Sequence, residues 1–401
     1  GGQLTFEEML AGSRDRTYVI GAFLALLELI KLRKILVMQD GFGDIQIQIR
    51  EEGMELEDTV DQDLAVQTIE QPEMGESQRI RLVFMGSPAF AVPLLQSLVG
   101  AGMAPVLVVT PPPRPSGRGR RKRETAVAEE AERLQLPVHR TGDVNGRTSR
   151  EAIEETTPDV IVTAGFGQKL GSAILSVPRH GCVNVHTSLL PKYRGASPVA
   201  AAIRDGATET GVTLFRMDEE WDQGPILAMA SLPLQGEETR DEVTAALSRV
   251  GADLLVRTLP EYVAGEIELR PQPTEGATYA RRLRKEEGKV AWSDSASAVK
   301  NHVRAMTSWP GAQTAWQPKV KHEPLPVVIS KVSLLTDEET TTVAGDPPVP
   351  GTVLQVTTDG IDVQCGDGAI RVLRIRPSGG REMAVKDFLN SRRVMAGDRF
   401  V

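Results

Sequence analysis

Cysteine, histidine and aromatic residues are all scarce in this 401-residue chain, and each scarcity excludes something. Two cysteines, Cys182 and Cys365, stand far apart without metal-ligand spacing, a usage that suits a reducing cytosol. The five histidines form no metal-binding cluster with them, so no metal is expected. No apolar run reaches the roughly 18 residues of a membrane span. The longest, "VIGAFLALLELIKL" (19–32), stops short and carries Glu28. The opening "GGQLTFEEML" has no basic stretch before an apolar one, so it does not read as a signal peptide. It also lacks an initiator Met, and the chain is expected to be a fragment or a processed form. Aromatics reach only 4%, yet 40% hydrophobic and 25% charged residues are ordinary for a soluble globular protein, and with the cysteine usage a cytoplasmic location is expected.

What is present is unevenly spread. Residues 1–78 hold 16 acidic and 6 basic side chains, whereas 79–401 hold 38 and 40. The net charge of −8 therefore belongs to the front of the chain, and the larger part can carry a basic surface for an anionic partner. Residues 51–78 contain ten acids and no base, and read as a solvated linker.

Periodicity divides the rest. Thr5-Phe6-Glu7-Glu8 has the form of a capping box, and 16–32 is helical in pattern. "KILVMQD" and "DIQIQIR" then alternate around "GFG" as a hairpin, so 1–50 reads as a winged-helix-like module. From Arg81 the runs "RLVFMG", "VLVVT", "VIVTAG" and "CVNVH" look like strands buried on both faces, with helices predicted at 89–101 and 125–134. That alternation predicts an α/β fold with a doubly wound, mostly parallel sheet over 79–275. The segment 276–401, with "VVISKVSLL" and the turns "TDG" and "GDG", predicts a small OB-like β-barrel.

Chemistry points to "NVHTSLLPKYRGASP" (184–198). Residues two apart on a strand share a face, so Asn184 and His186 address one pocket. An imidazole accepts protons near neutral pH, an amide NH2 donates to a developing oxyanion, and a carboxylate such as Asp222 can orient the imidazole. Taken singly, each is more often structural.

The stretch "GCVNVHTSLLPKYRGASPVAAAIRDGATETGVTLFRMDEEWDQGPIL" (181–227) resembles the folate-dependent formyltransferases, and among them those acting on methionyl-tRNA. "VFMGSPAFAVPLL", "RPSGRGRRK", "EEGKVAWSDSA" and "DFLNSRRVMAGDRFV" continue the likeness, in order, over nearly all of 80–401. The resemblance implies formyl transfer from 10-formyltetrahydrofolate to the α-amino group of methionyl initiator tRNA. Asn184 would hold the formyl oxygen, His186 would stabilise or protonate the tetrahedral intermediate, and Asp222 would keep His186 suitably charged. Ser188, Leu189, Leu190 and Pro191 would help bind folate. Arg114, Arg118, Arg120, Arg121, Lys122 and Arg123 put six positive charges into ten residues, in a loop that the resemblance sends to the tRNA acceptor end, with Arg118 the one expected to reach it. Ala89 replaces an acid common in the family, "PPPRP" replaces "QPDRP", and "GFGQKLG" lacks a usual proline.

Residues 5–47 resemble the C-terminal winged helix of segregation and condensation protein A, which implies docking on the ATPase head of a structural-maintenance-of-chromosomes protein. Fusion of two coding regions, with Met74 a separate start for the enzyme, is the simplest account. Two other readings stand beside the first: a formyltransferase acting on an amino-sugar nucleotide or another small amine, and a condensin-interacting fusion protein. The basic loop and the C-terminal segment favour tRNA, and a monomer is expected.

Overall fold

The computed structural model describes residues 80–116, 121–319, 323–336 and 348–401, β7 (Arg121–Arg123) among them, together with the backbone of three short strands, β1 (Gln3–Thr5), β2 (Ile35–Met38) and β3 (Gln46–Ile49). The chain divides into two compact units, 1–74 and 75–401. In the first, β2 and β3 pair antiparallel, as expected of the hairpin, and β1 joins the other edge of β3. The capping box at Thr5–Glu8, the helix at 16–32 and the acidic linker fall largely or wholly outside the described residues.

The second unit opens with strands whose side chains are buried on both faces. β4 (Leu82–Gly86) and β9 (Val160–Ala164) are buried at every position, which only a central strand covered on both sides requires. With β5 (Leu107–Thr110), β8 (Val138–Arg140) and β10 (Cys182–His186) they form five parallel strands. β11 (Glu209–Arg216) then returns antiparallel to β10, and β12 (Ile226–Pro233) antiparallel to β11. The order β12-β11-β10-β9-β4-β5-β8 places the switch of winding direction between β4 and β9. In such sheets a crevice opens there, beyond the carboxyl ends of the strands.

Helices α1 (Ala91–Gly100), α2 (Ala126–Arg133), α3 (Arg147–Glu154), α4 (Ser172–Leu175), α5 (Pro198–Arg204) and α6 (Arg240–Val263) cover the faces. The first two stand where the sequence predicts them. Thr125 caps α2, and α6 starts with a full capping box between Thr239 and Glu242, which satisfies two of the orphan N–H groups at its start. Leu94, Leu98, Leu247 and Leu255 pack the core between helices and sheet.

The C-terminal part sets α7 (Ala296–Ala305) and α8 (Val385–Ser391) against strands β13 (Ala312–Gln317), β14 (Leu325–Leu334), β15 (Val353–Val356), β16 (Ile361–Gln364), β17 (Ala369–Pro377), β18 (Met383–Ala384) and β19 (Arg399–Phe400). Six follow in the order β15-β16-β17-β14-β13-β19. Its two ends meet. Phe400 N donates to Gly351 O at 2.7 Å and Val353 N to Asp398 O at 2.8 Å, so the antiparallel sheet nearly closes into the barrel expected.

Candidate active site

A cavity of about 750 Å3 opens at the carboxyl ends of β4, β9 and β10. Phe90, Phe166, Leu170, Phe215, Met217 and Trp221 supply apolar wall, and Asn184, His186 and Asp222 reach it together. A flat heteroaromatic ligand fits such a lining, because apolar walls take its faces while a few polar groups fix its orientation.

Register explains the pair on β10. Asn184 lies beside Thr163 of the parallel β9 and opposite Phe215 of β11. Thr163 Oγ1 donates to Asn184 Oδ1 at 2.7 Å, which turns the amide so that Nδ2 remains the donor. Thr163 was missed by sequence reasoning. Its signal was a hydroxyl in the otherwise apolar run "VIVTA".

His186 is buried, with Phe215 edge-on to its ring at 6.4 Å between centroids. Nε2 lies 2.9 Å from the Tyr193 carbonyl, which can only accept, so Nε2 carries the proton and Nδ1 carries the lone pair in the neutral ring. Nδ1 faces Asp222 Oδ2 at 3.9 Å, too long for a hydrogen bond. A lone pair and a carboxylate oxygen therefore stand a short gap apart, both able to accept a proton. A group with N–H to give is what that gap takes.

The Asp222 turn is tightly drawn. Asp222 adopts φ +54°, a left-handed conformation in which an L-residue costs about 1 kcal/mol. A Cβ on Gly224 would stand 1.8 Å from Arg216 O, so only glycine lets the turn close. Gly195 N donates to Asp222 Oδ2 at 2.7 Å and aims the carboxylate. Gly195 itself sits at φ +105°, where a Cβ would meet Ala280 O at 2.6 Å.

Residues 79–259 match the formyl transferase family, 282–393 match its C-terminal domain, and 1–50 match the segregation and condensation protein ScpA family. The methionyl-tRNA formyltransferase of Halorhodospira halophila is 42% identical over 318 residues, covering 79% of this chain and 98% of its own. That of Enterococcus faecalis is 39% identical over 311 residues, covering 77% and 95%. The chain belongs to the methionyl-tRNA formyltransferase family. Solved structures share the formyltransferase fold at lower identity. An N-formyltransferase from Helicobacter canadensis, in complex with folinic acid and dTDP-3-aminofucose, aligns with a TM-score of 0.53 at 17% identity, over 73% of this chain and 98% of its own. HypX from Aquifex aeolicus, with tetrahydrofolic acid, aligns at 0.50 and 19% identity, over 78% and 47%.

In this formyltransferase the run Ser188–Pro191 does not line the cavity. Ser188 is fully buried and donates to Lys192 O at 2.7 Å, while its own carbonyl accepts from Thr213 Oγ1 at 2.7 Å. Leu190 is buried against Phe215 and Ile226, and Leu189 lies against Gly211. Through these contacts the run braces the loop that carries Tyr193 and Gly195.

The basic loop of the formyltransferase is a two-stranded ribbon, with β6 (Arg114–Ser116) antiparallel to β7. Arg114 and Lys122 are exposed, and Arg114 stands directly opposite Arg123. Arg118 and Arg120 lie outside the described residues, and of Arg121 only the backbone is described. Among the described residues, no group of three or more His, Cys, Asp or Glu could hold a metal, and no helix is long and apolar enough to cross a membrane.

Proposed function

We propose that this chain transfers a formyl group from 10-formyltetrahydrofolate to the α-amino group of methionyl initiator tRNA, through Asn184, His186 and Asp222. The observation that carries this is the open Nδ1–Oδ2 gap between His186 and Asp222, set beside the Asn184 amide on an apolar cavity. The folate cosubstrate supplies the formyl carbon. As the amine nitrogen bonds to that carbon, the carbonyl electron pair moves to oxygen, and Asn184 Nδ2 donates to the oxyanion. His186 Nδ1 takes a proton from the attacking nitrogen and returns it to the departing nitrogen as the old C–N bond breaks. Asp222 stabilises the imidazolium between those steps. The Tyr193 carbonyl holds the ring so that the basic nitrogen stays on the cavity side.

The ribbon supports an RNA acceptor. Like charges directly opposite on two strands are unfavourable, and Arg114 opposite Arg123 is relieved by a polyanion. Arg114, Arg118, Arg120, Arg121 and Lys122 would meet phosphates of the acceptor end. The Ser188–Pro191 run serves the folate indirectly, by fixing the loop beside it. The ScpA match at 1–50 supports a front segment derived from a kleisin by fusion of coding regions. This segment is dispensable for the chemistry, and any docking to a structural-maintenance-of-chromosomes ATPase head rests on it alone. A cytoplasmic monomer is the working form. The test is formyl transfer from 10-formyltetrahydrofolate to charged initiator tRNA, by the full chain and by residues 74–401 in parallel. Equal activity in both supports the reading. Transfer to an amino-sugar nucleotide but not to tRNA would sink it.

A further inference from the structure

The segment Arg270–Leu283 lies mostly between the two family matches, yet it is laced to both halves of the catalytic pair. Arg270 exchanges backbone hydrogen bonds with Ile226 at 2.7 and 3.0 Å, just beyond the Asp222 turn. Arg194 N donates to Thr278 O at 2.9 Å, and Ala280 N to Arg194 O at 2.6 Å, on the loop that fixes His186. Between these anchors stands Gln272. Its Nε2 donates to Asp222 O at 2.9 Å and to Gly224 O at 2.8 Å. Its Oε1 accepts from Arg194 Nη2 at 2.8 Å and from Nε at 3.1 Å. Both amide hydrogens and both carbonyl lone pairs are thereby used.

Arg194 is only 5% exposed, and among the described residues no carboxylate lies within 4.0 Å of it. Its other contacts are Gln223 Oε1 at 3.3 Å, Tyr279 OH at 3.4 Å and the Tyr279 ring, 6.0 Å from the guanidinium. A buried guanidinium held by neutral oxygens is an uncommon arrangement, since a carboxylate would ordinarily neutralise it. Here only a neutral amide meets both demands. A carboxylate at 272 would satisfy Arg194 but would face the carbonyls of Asp222 and Gly224 with no hydrogen to give.

We propose that Gln272, held by Arg194, is a positioning residue for formyl transfer: it clamps the left-handed Asp222 turn so that the carboxylate stays opposite His186 Nδ1. The inference rests on the catalytic reading of His186 and Asp222. It assigns a mechanical role to the connection between the domains, because one side chain of that connection sets the distance on which proton transfer depends.

The test is a double-mutant cycle in the full chain. Gln272→Glu and Gln272→Ala are each made alone and in an Asp222→Ala background. Turnover, both KM values (10-formyltetrahydrofolate and methionyl-tRNA) and the melting temperature are measured. Gln272→Glu, which keeps the Arg194 partner, should lower kcat by roughly 10- to 100-fold while both KM values stay within about twofold, the scale of a misplaced catalytic group. In the Asp222→Ala background the same change should add less than about twofold, because the group it positions is gone. Normal kcat in Gln272→Glu, with Asp222→Ala strongly impaired, overturns the proposal and leaves the catalytic reading standing. Equal fold-losses in both backgrounds overturn it too, since a general structural role adds independently. Normal turnover in Asp222→Ala would bring down the catalytic reading itself.

Discussion

Carboxylates in the two domains of the second unit live in opposite circumstances, fully buried in the barrel and half-buried at the cavity. Asp398 in the barrel is fully buried and accepts three hydrogen bonds: Trp316 Nε1 at 3.1 Å, Met395 N at 3.0 Å and Lys319 N at 2.8 Å. Asp362, also in the barrel, takes both prongs of Arg371 at 2.7 and 3.0 Å. Asp222 in the α/β domain accepts from Gly195 N, and beyond that N–H it faces an imidazole lone pair across a cavity. A carboxylate whose acceptor sites are filled by fixed donors holds a fold together. One left with capacity facing an open site has capacity for chemistry. The barrel spends its polar groups on closure, and the catalytic domain keeps some back.

The largest effects should separate these two roles. His186→Ala and Asp222→Ala are each expected to lower kcat by about 10²- to 10⁴-fold, with melting temperatures near that of the parent protein. Asp398→Ala should do the reverse. Leaving an indole N–H and two backbone N–H groups without an acceptor destabilises on the order of 3 kcal/mol, while turnover per folded molecule is retained. Chemical denaturation beside steady-state kinetics reads both. An Asp398→Ala protein of normal stability, or an Asp222→Ala protein of normal turnover, would erase the contrast.

Much of the parallel sheet and part of the candidate site are legible in the sequence, but the contrast between these carboxylates is not. Strands buried on both faces announce themselves as short apolar runs, so β4, β5, β9 and β10 and the parallel sheet follow from those runs and their alternation with helical stretches. The two-residue period put Asn184 and His186 on one face. What was not legible depends on long-range register. Thr163 meets Asn184 from 21 positions away and Gln272 meets Asp222 from 50, and no local pattern pairs them. Ser188 illustrates another limit. A serine after a strand end reads equally as a ligand contact or as a loop brace, and its burial and its bond to Lys192 O come from long-range packing that no local pattern shows.

An intermediate effect is expected at the basic ribbon. Arg114→Ala and Lys122→Ala should each weaken tRNA binding by up to about tenfold at low salt and make the slope of log affinity against log salt shallower by nearly one. Stability should not change, since both side chains are exposed. A slope identical to that of the parent protein would remove phosphate contact from the ribbon.

The smallest expected effect compares the two domains through their histidines. His302 on α7 is half-buried, and loss of solvent holds its imidazole below the ordinary range. The Gly288 carbonyl, 3.3 Å from Nε2, and the Asp294 carboxylate oppose that shift, whereas Arg204 adds to it. The unfolded chain therefore binds a proton at a pH where the folded chain does not. With more protons bound in the unfolded state, stability rises with pH in that window. It should be fully present above about pH 6.5 and fall as pH drops toward the lowered folded value, with a slope of at most about 1.4 kcal/mol per pH unit for one proton. His302→Gln should flatten that slope in urea titrations between about pH 5 and 7 and leave turnover at neutral pH alone. His186→Gln should abolish turnover and leave the His302 slope in place. An unchanged slope in His302→Gln would show that the acid sensitivity of the barrel side has another source.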